Sequence, residues 1–188
     1  MKKFKIISII IFVGFIQNIS AQNKNLIYWN DSVKLSWTDF KAHPLKNDIS
    51  AAMTNSSISF EISAKGDSAI ITIYNIFNKQ KSWVKKSGKT DYVLNHEQKH
   101  FDISEIYARK LRKTILEQTF TYSTIQKTGS KIVEVNYKEA SEFQDLYDKE
   151  TKHSTNVEQQ TIWNTIIEEK LKEFSNFTST EIRIFVKK

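Results

Sequence analysis

The chain has no cysteine, a single proline (Pro44) and only four glycines among its 188 residues. Without cysteine there can be no disulfide, no lipidated-cysteine anchor and no zinc held by thiolates. Any metal site must therefore be built from His, Asp and Glu, and stability must come from the core alone or from core plus metal. Internal repeats and low-complexity linkers are also missing, so the length favours one domain with a real core. Long apolar runs are absent as well, with one exception at the amino terminus.

That exception is the stretch Ile6 to Ile16, preceded by Lys2, Lys3 and Lys5 and followed by Gln17-Asn18-Ile19-Ser20-Ala21. A basic start, a short apolar centre and a small residue at the end make up a secretory signal peptide, and the run is too short to span a bilayer comfortably. Residues 1–21 therefore read as a signal peptide cleaved after Ala21, and residues 22–188 as the mature domain. Loss of the three lysines takes the formal charge from +7 to +4. The densest basic stretch, Lys79, Lys81, Lys85, Lys86 and Lys89, contains Gly88 and reads as a solvated loop. Export also argues against nucleic acid as a partner and against stable membrane insertion after cleavage.

Along the mature chain, Val33, Leu35 and Trp37 alternate like a short strand that ends at His43-Pro44, with His43 on the surface. Ser57 to Ala64 and Ser68 to Phe77 alternate more clearly, and Lys65-Gly66-Asp67 between them predicts an antiparallel hairpin. Thr90 or Asp91 can cap a long helix to about Gln118. The β-branched residues from Thr119 to Val135, with Gly129 among them, suggest another hairpin. A second helix is expected from about Tyr137 to Thr151, and Thr155 with Glu158 forms a capping box for a third, to about Phe174. Thr180 to Lys188 alternates like an edge strand.

The long helix carries His96-Glu97-Gln98-Lys99-His100, the pattern H-E-x-x-H. Four residues turn a helix through about 400°, so the two imidazoles point the same way and can grip one ion, with Glu97 placed to take a proton from water. On a helical wheel His96, Glu97 and His100 share a stripe with Val93, Ile103, Tyr107, Leu111 and Ile115, while Gln98, Lys99, Asp102, Glu105, Arg109 and Lys113 fall opposite. An unpaired carboxylate on an apolar stripe costs several kcal/mol or becomes neutral, and a bound cation compensates directly. The bland alternative is a helix with two partly exposed histidines and a glutamate paired to lysine. Zinc also needs a third protein ligand. Asp102 and Glu105 point away, Glu105 toward a pairing with Arg109 one turn on. His153, at the break after the second helix, is the leading candidate, with Asp148, Glu142 and Glu139 behind it. Tyr147 and Thr151 lie close enough in sequence to orient an imidazole or, for Tyr147, to stabilise an oxyanion.

The run Leu94-Asn95-His96-Glu97-Gln98-Lys99-His100-Phe101-Asp102-Ile103, with Glu105 and Ala108-Arg109-Lys110-Leu111-Arg112, resembles the bacterial domain-of-unknown-function 922 family, described as secreted zinc-dependent proteases. The resemblance extends to Leu35-Ser36-Trp37-x-Asp39-Phe40 upstream and to Tyr147-Asp148-x-x-Thr151-x-His153, Gln160 and Trp163 downstream. The family pattern has glycine after that last histidine, where this chain has Ser154. What the resemblance implies is a metal-dependent peptidase.

The expectation is thus a single α+β, zincin-like domain with a small antiparallel sheet packed on a long H-E-x-x-H helix and two further helices. In it His96, His100 and His153 hold Zn2+, Glu97 acts as general base and then acid, Tyr147 polarises the oxyanion, and the partner is a peptide or protein substrate. Two other readings use the same residues: a non-catalytic envelope protein with a structural metal, and a metal-dependent amidase of cell-wall peptides.

Overall fold

A computed structural model describes residues 11–12, 24–44 and 48–187. The proposed signal peptide and its cleavage point at Ala21 lie outside the described residues, except for the two-residue strand β1 (Ile11–Phe12), which runs parallel to β4. The fold is α+β with three long helices, as the patterning predicts. Its first strands are β2 (Leu26–Tyr28), β3 (Ala52–Met53), β4 (Ser56–Lys65), β5 (Ser68–Asn78) and β6 (Trp83–Val84). Helix α1 (Asp91–Leu116), strand β7 (Phe120–Thr121), helices α2 (Ile125–Thr151) and α3 (Val157–Glu173), and strand β8 (Glu181–Lys187) follow.

The β4–β5 hairpin dominates the main sheet, with ten paired positions from Ser56↔Phe77 to Lys65↔Ser68. Gly66 at φ 62° supplies the left-handed residue that its two-residue turn needs. Strand β8 joins β5 on its other side and carries Ile182, Ile184 and Val186 inward, with β7 parallel on its outer flank. Strand β2 pairs with the far end of β5. The sheet is therefore mixed, because β1 and β7 add short parallel pairs to an antiparallel centre. A separate two-stranded ribbon, β3 with β6, stands beside α1.

Helix α1 is the axis of the domain. Thr90 caps it by accepting from the Val93 amide at 3.2 Å. Ala108, Leu111 and Ile115 pack on Phe60, Ile71, Ile73 and Ile184 of the sheet. Ile103 and Ile106 face Tyr147, Trp163, Ile167 and Phe174 of the helical layer. Phe101 closes against Leu35, Phe40 and Phe77.

Four expectations are corrected. The stretch Val33–Trp37 is not a strand: Ser36 donates its amide and hydroxyl to Asp39 Oδ2 at 2.9 and 2.8 Å, which starts a 3-10 turn at Trp37, and the strand lies earlier at Leu26–Tyr28. Thr119–Val135 is not a hairpin, because only Phe120–Thr121 is extended and α2 begins at Ile125. Ile125, Ile132 and Val133 recur at helical spacing and pack against the sheet, and Gly129 lies within the helix where it crosses Phe60 and Ile62. The cap of α3 is Asn156, whose side chain accepts from the Gln159 amide at 3.2 Å, rather than Thr155. Finally, the stripe of α1 expected to face water is buried: Gln98, Lys99, Asp102, Glu105 and Arg109 lie under the amino-terminal segment and α3. Trp29 Nε1 donates to Asp102 at 3.0 Å, the Leu35 amide donates to Gln98 Oε1 at 2.8 Å, and Arg109 Nη1 donates to the Leu171 carbonyl at 2.8 Å.

Candidate metal centre

His96 and His100 project from one turn of α1 toward the last full turn of α2, and Asp148 projects back. His96 Nε2 and His100 Nε2 are 3.1 Å apart, and Asp148 Oδ1 lies 3.2 Å from the first and 3.1 Å from the second. Ligand atoms around a tetrahedral zinc with ordinary bond lengths stand roughly 3.3 Å apart, so this triangle has the size of three corners of such a site. The three side chains are the one group of potential ligands that converges in this way among the described residues.

The donor pattern also calls for a cation. His96 Nδ1 contacts Gln160 Oε1 at 2.9 Å, and His100 Nδ1 contacts Gln144 Oε1. An amide oxygen only accepts, so each imidazole carries its proton on Nδ1 and turns the lone pair of Nε2 toward Asp148. Three acceptors then meet at one point, which only a proton or a metal ion can reconcile. Without metal the proton takes that place. Burial works against a charged His100, but Asp148, Glu97 and the Gln144 amide outweigh it and push its pKa up to about 9. Burial likewise tends to raise the Asp148 pKa, and the two imidazoles reverse this and hold its carboxyl well below the usual range.

Glu97 is buried, and its Oε2 has no hydrogen-bond partner. It lines a cleft of about 130 Å³ together with His96, His100, Asp148, His153, Ser154 and the segment Ser50–Thr54. Thr54 Oγ1 donates to the Glu97 carbonyl at 3.0 Å and ties that segment to the turn that carries His96 and His100. Behind the same wall, Gly88 approaches so closely that a Cβ would meet the Ala51 oxygen at 2.7 Å.

The side chain that converges with the two imidazoles is Asp148, and His153, the leading candidate from the sequence, stands outside that triangle. Asp148 still belongs to α2 and aims along the helix face that meets α1. His153 lies past the end of the helix, where Lys152, His153 and Ser154 all have positive φ (50°, 51° and 68°). This left-handed turn sets His153 beside the cleft, half-exposed, with Nδ1 3.3 Å from the other oxygen of Asp148. Glu139 instead pairs with Lys110 at 2.8 Å and Glu142 with Lys138 at 3.8 Å, and the exposed His43 does not line the cleft. Tyr147 is fully buried and does not line the cleft either. It stacks on His96 at 4.7 Å, its hydroxyl receives a hydrogen bond from Gln160 Nε2 at 2.7 Å, and it lies 3.3 Å from the His96 carbonyl. That position orients His96 and leaves the hydroxyl no path to an oxyanion. Thr151 donates to the Tyr147 carbonyl at 2.7 Å. Gln144 was not anticipated. Its signal is the pair Gln144 and Asp148, one helical turn apart on α2, facing the pair His96 and His100 on α1.

Residues 77–154 match the family described as bacterial protein of unknown function (DUF922). The matched segment contains His96, Glu97, His100, Gln144, Asp148 and His153 and ends at Ser154. Leu35–Phe40, Gln160 and Trp163, which carry the outer parts of the resemblance, lie beyond it. No curated protein and no solved structure matches the chain.

Proposed function

We propose that the protein is an exported, zinc-dependent metallopeptidase of zincin-like design that cleaves peptide bonds in the cleft beside α1. The observation that carries this reading is the buried Oε2 of Glu97, unpartnered, in the same cleft as the three converging ligand atoms. A purely structural metal needs no such group, and leaving a buried carboxylate oxygen without a donor costs stability. His96, His100 and Asp148 hold the ion. When bound, the ion supplies Lewis acidity and a water that ionises near neutral pH. Glu97 accepts the proton of the attacking water and passes it to the departing amine. Ser50–Thr54 forms the opposite wall and, through β3, offers backbone groups along which an extended peptide can lie as an added strand. Among the described residues no helix is long and apolar enough to cross a membrane.

The test compares the purified full chain with Glu97→Gln. About one zinc per chain is expected in both proteins, with hydrolysis of an unfolded protein substrate only in the parent. Neither protein holding stoichiometric metal sinks the reading. Metal without turnover moves the protein to the structural-metal class, and digestion of peptidoglycan peptides alone moves it to the amidases.

A further inference from the structure

We propose that Gln144 and Gln160 are positioning residues that set the tautomer of both histidines and, being neutral, match the centre to a divalent ion. This inference rests on the metal reading of the same site. Each glutamine has its orientation fixed by what its nitrogen does. Gln144 Nε2 donates to the His100 carbonyl at 2.9 Å and to Ser104 Oγ at 3.3 Å, which leaves Oε1 for His100 Nδ1. Gln160 Nε2 donates to the Tyr147 hydroxyl at 2.7 Å and to Asn164 Oδ1 at 3.0 Å, which leaves Oε1 for His96 Nδ1. Asn164 is itself held by Asn95, whose Nδ2 donates to the same Oδ1 at 3.1 Å. Turning Gln144 over would set its oxygen against the His100 carbonyl, and turning Gln160 over would set its oxygen against Asn164 Oδ1. The Ser104 and Tyr147 hydroxyls fit either way, so the two acceptors fix both amides and keep Nδ1 of each histidine from an ion.

The neutrality of the two amides has a separate consequence. Histidine ligands commonly have a carboxylate or a carbonyl behind them, and a carboxylate adds negative charge to the centre. Here Glu97 and Asp148 already bring two negative charges into the buried site. Two neutral imidazoles backed by two neutral amides leave that total at two, which a divalent cation balances. Two glutamates in place of Gln144 and Gln160 would double the charge that the ion must offset.

The experiment measures zinc affinity of the full chain by competition with a chromophoric chelator, together with the visible absorption of the Co2+-loaded protein. Gln144→Met and Gln160→Met remove the acceptor at similar side-chain length, and each is expected to weaken zinc binding about 10- to 100-fold and to change the Co2+ bands. Gln144→Glu keeps an acceptor for His100 Nδ1 but adds a negative charge and loses the donor to the His100 carbonyl, so its affinity is expected to fall between that of the parent and that of Gln144→Met. Thermal melting of the metal-free variants identifies any that do not fold. The parent supplies an independent readout: nitrogen NMR of zinc-loaded protein should show coordination through Nε2 and a proton on Nδ1 in both histidines. Folded Met variants that bind zinc within about twofold of the parent, or coordination through Nδ1, would overturn the proposal. A parent that binds no zinc overturns the metal reading and this inference with it.

Discussion

Two groups of buried polar side chains sit on α1 and solve the cost of burial in opposite ways. Around Glu105, Arg109 Nε donates at 3.1 Å and Arg112 Nη1 at 2.9 Å, and the guanidiniums go on to the carbonyls of Leu171, Phe177 and Ile73. Arg109 also lies over the Trp29 ring at 4.9 Å. Burial raises the Glu105 pKa even against two guanidiniums, so this network shows what desolvation costs when charges are paired. One turn earlier the second group collects two carboxylates and two imidazoles with no lysine or arginine between them. In the first group each charge is paired within the chain, although Arg112 Nε is buried without a hydrogen-bond partner. The second is complete only with something added, and that asymmetry distinguishes a structural network from a site.

The largest effect expected from this contrast is at Arg112, which is 1% exposed. Arg112→Met leaves Glu105 and two carbonyls short of donors and should cost about 3–5 kcal/mol in denaturant unfolding, with or without zinc. The second expectation concerns pH. His100 is raised from 6.5 to about 9, so its share of the stability of metal-free protein is complete below about pH 6.5 and lost as the pH climbs toward 9. Asp148 is lowered, so its share is present above its ordinary range and lost only in acid. Thermal melts of metal-free protein should therefore decline from neutral to alkaline pH, Asp148→Asn should flatten that decline, and zinc affinity should rise over the same interval as the proton stops competing. If Asp148→Asn leaves the profile unchanged, the pairing is not what holds the site together.

Smaller changes come from strain and unmet bonding. Glu97→Gln removes a buried charge with an unpartnered oxygen and should stabilise metal-free protein by about 1 kcal/mol, whereas the same exchange at Glu105 should destabilise it. Ser154 at φ 68° occupies a conformation that glycine adopts freely, so Ser154→Gly should add about 0.5–1 kcal/mol in unfolding experiments. Equal or lower stability of that variant would show that the turn carries no strain worth relieving.

The sequence made the hairpin, the long helix and the H-E-x-x-H turn readable because each is local: alternation, a cap and a four-residue spacing suffice. It also paired Glu105 with Arg109 correctly. It misassigned the stripe of Gln98, Lys99 and Asp102, since polarity predicts exposure only when no other segment supplies partners. Trp29 and Leu35, more than sixty positions away, do so here. Asp148 ranked below His153 because preference by residue type favoured a third imidazole, while the side chain brought beside His96 and His100 is the one that still belongs to α2 before the chain turns left-handed at Lys152. Gln144 carried no charge and no motif to draw notice.

The three candidate ligands are divided between two helices, with two on α1 and the third on α2. An ion binding to both works as a clasp whose free energy goes into the docking of α2 on α1, and into folding as a whole only through that docking. Backbone amides of the last turns of α2 should therefore gain more protection from hydrogen exchange on metal loading than those of the β4–β5 hairpin, which holds its shape without it. A chain in which α1 has formed but α2 has not yet docked holds only two of the three ligands, so tight retention of the ion marks the moment at which the domain is finished.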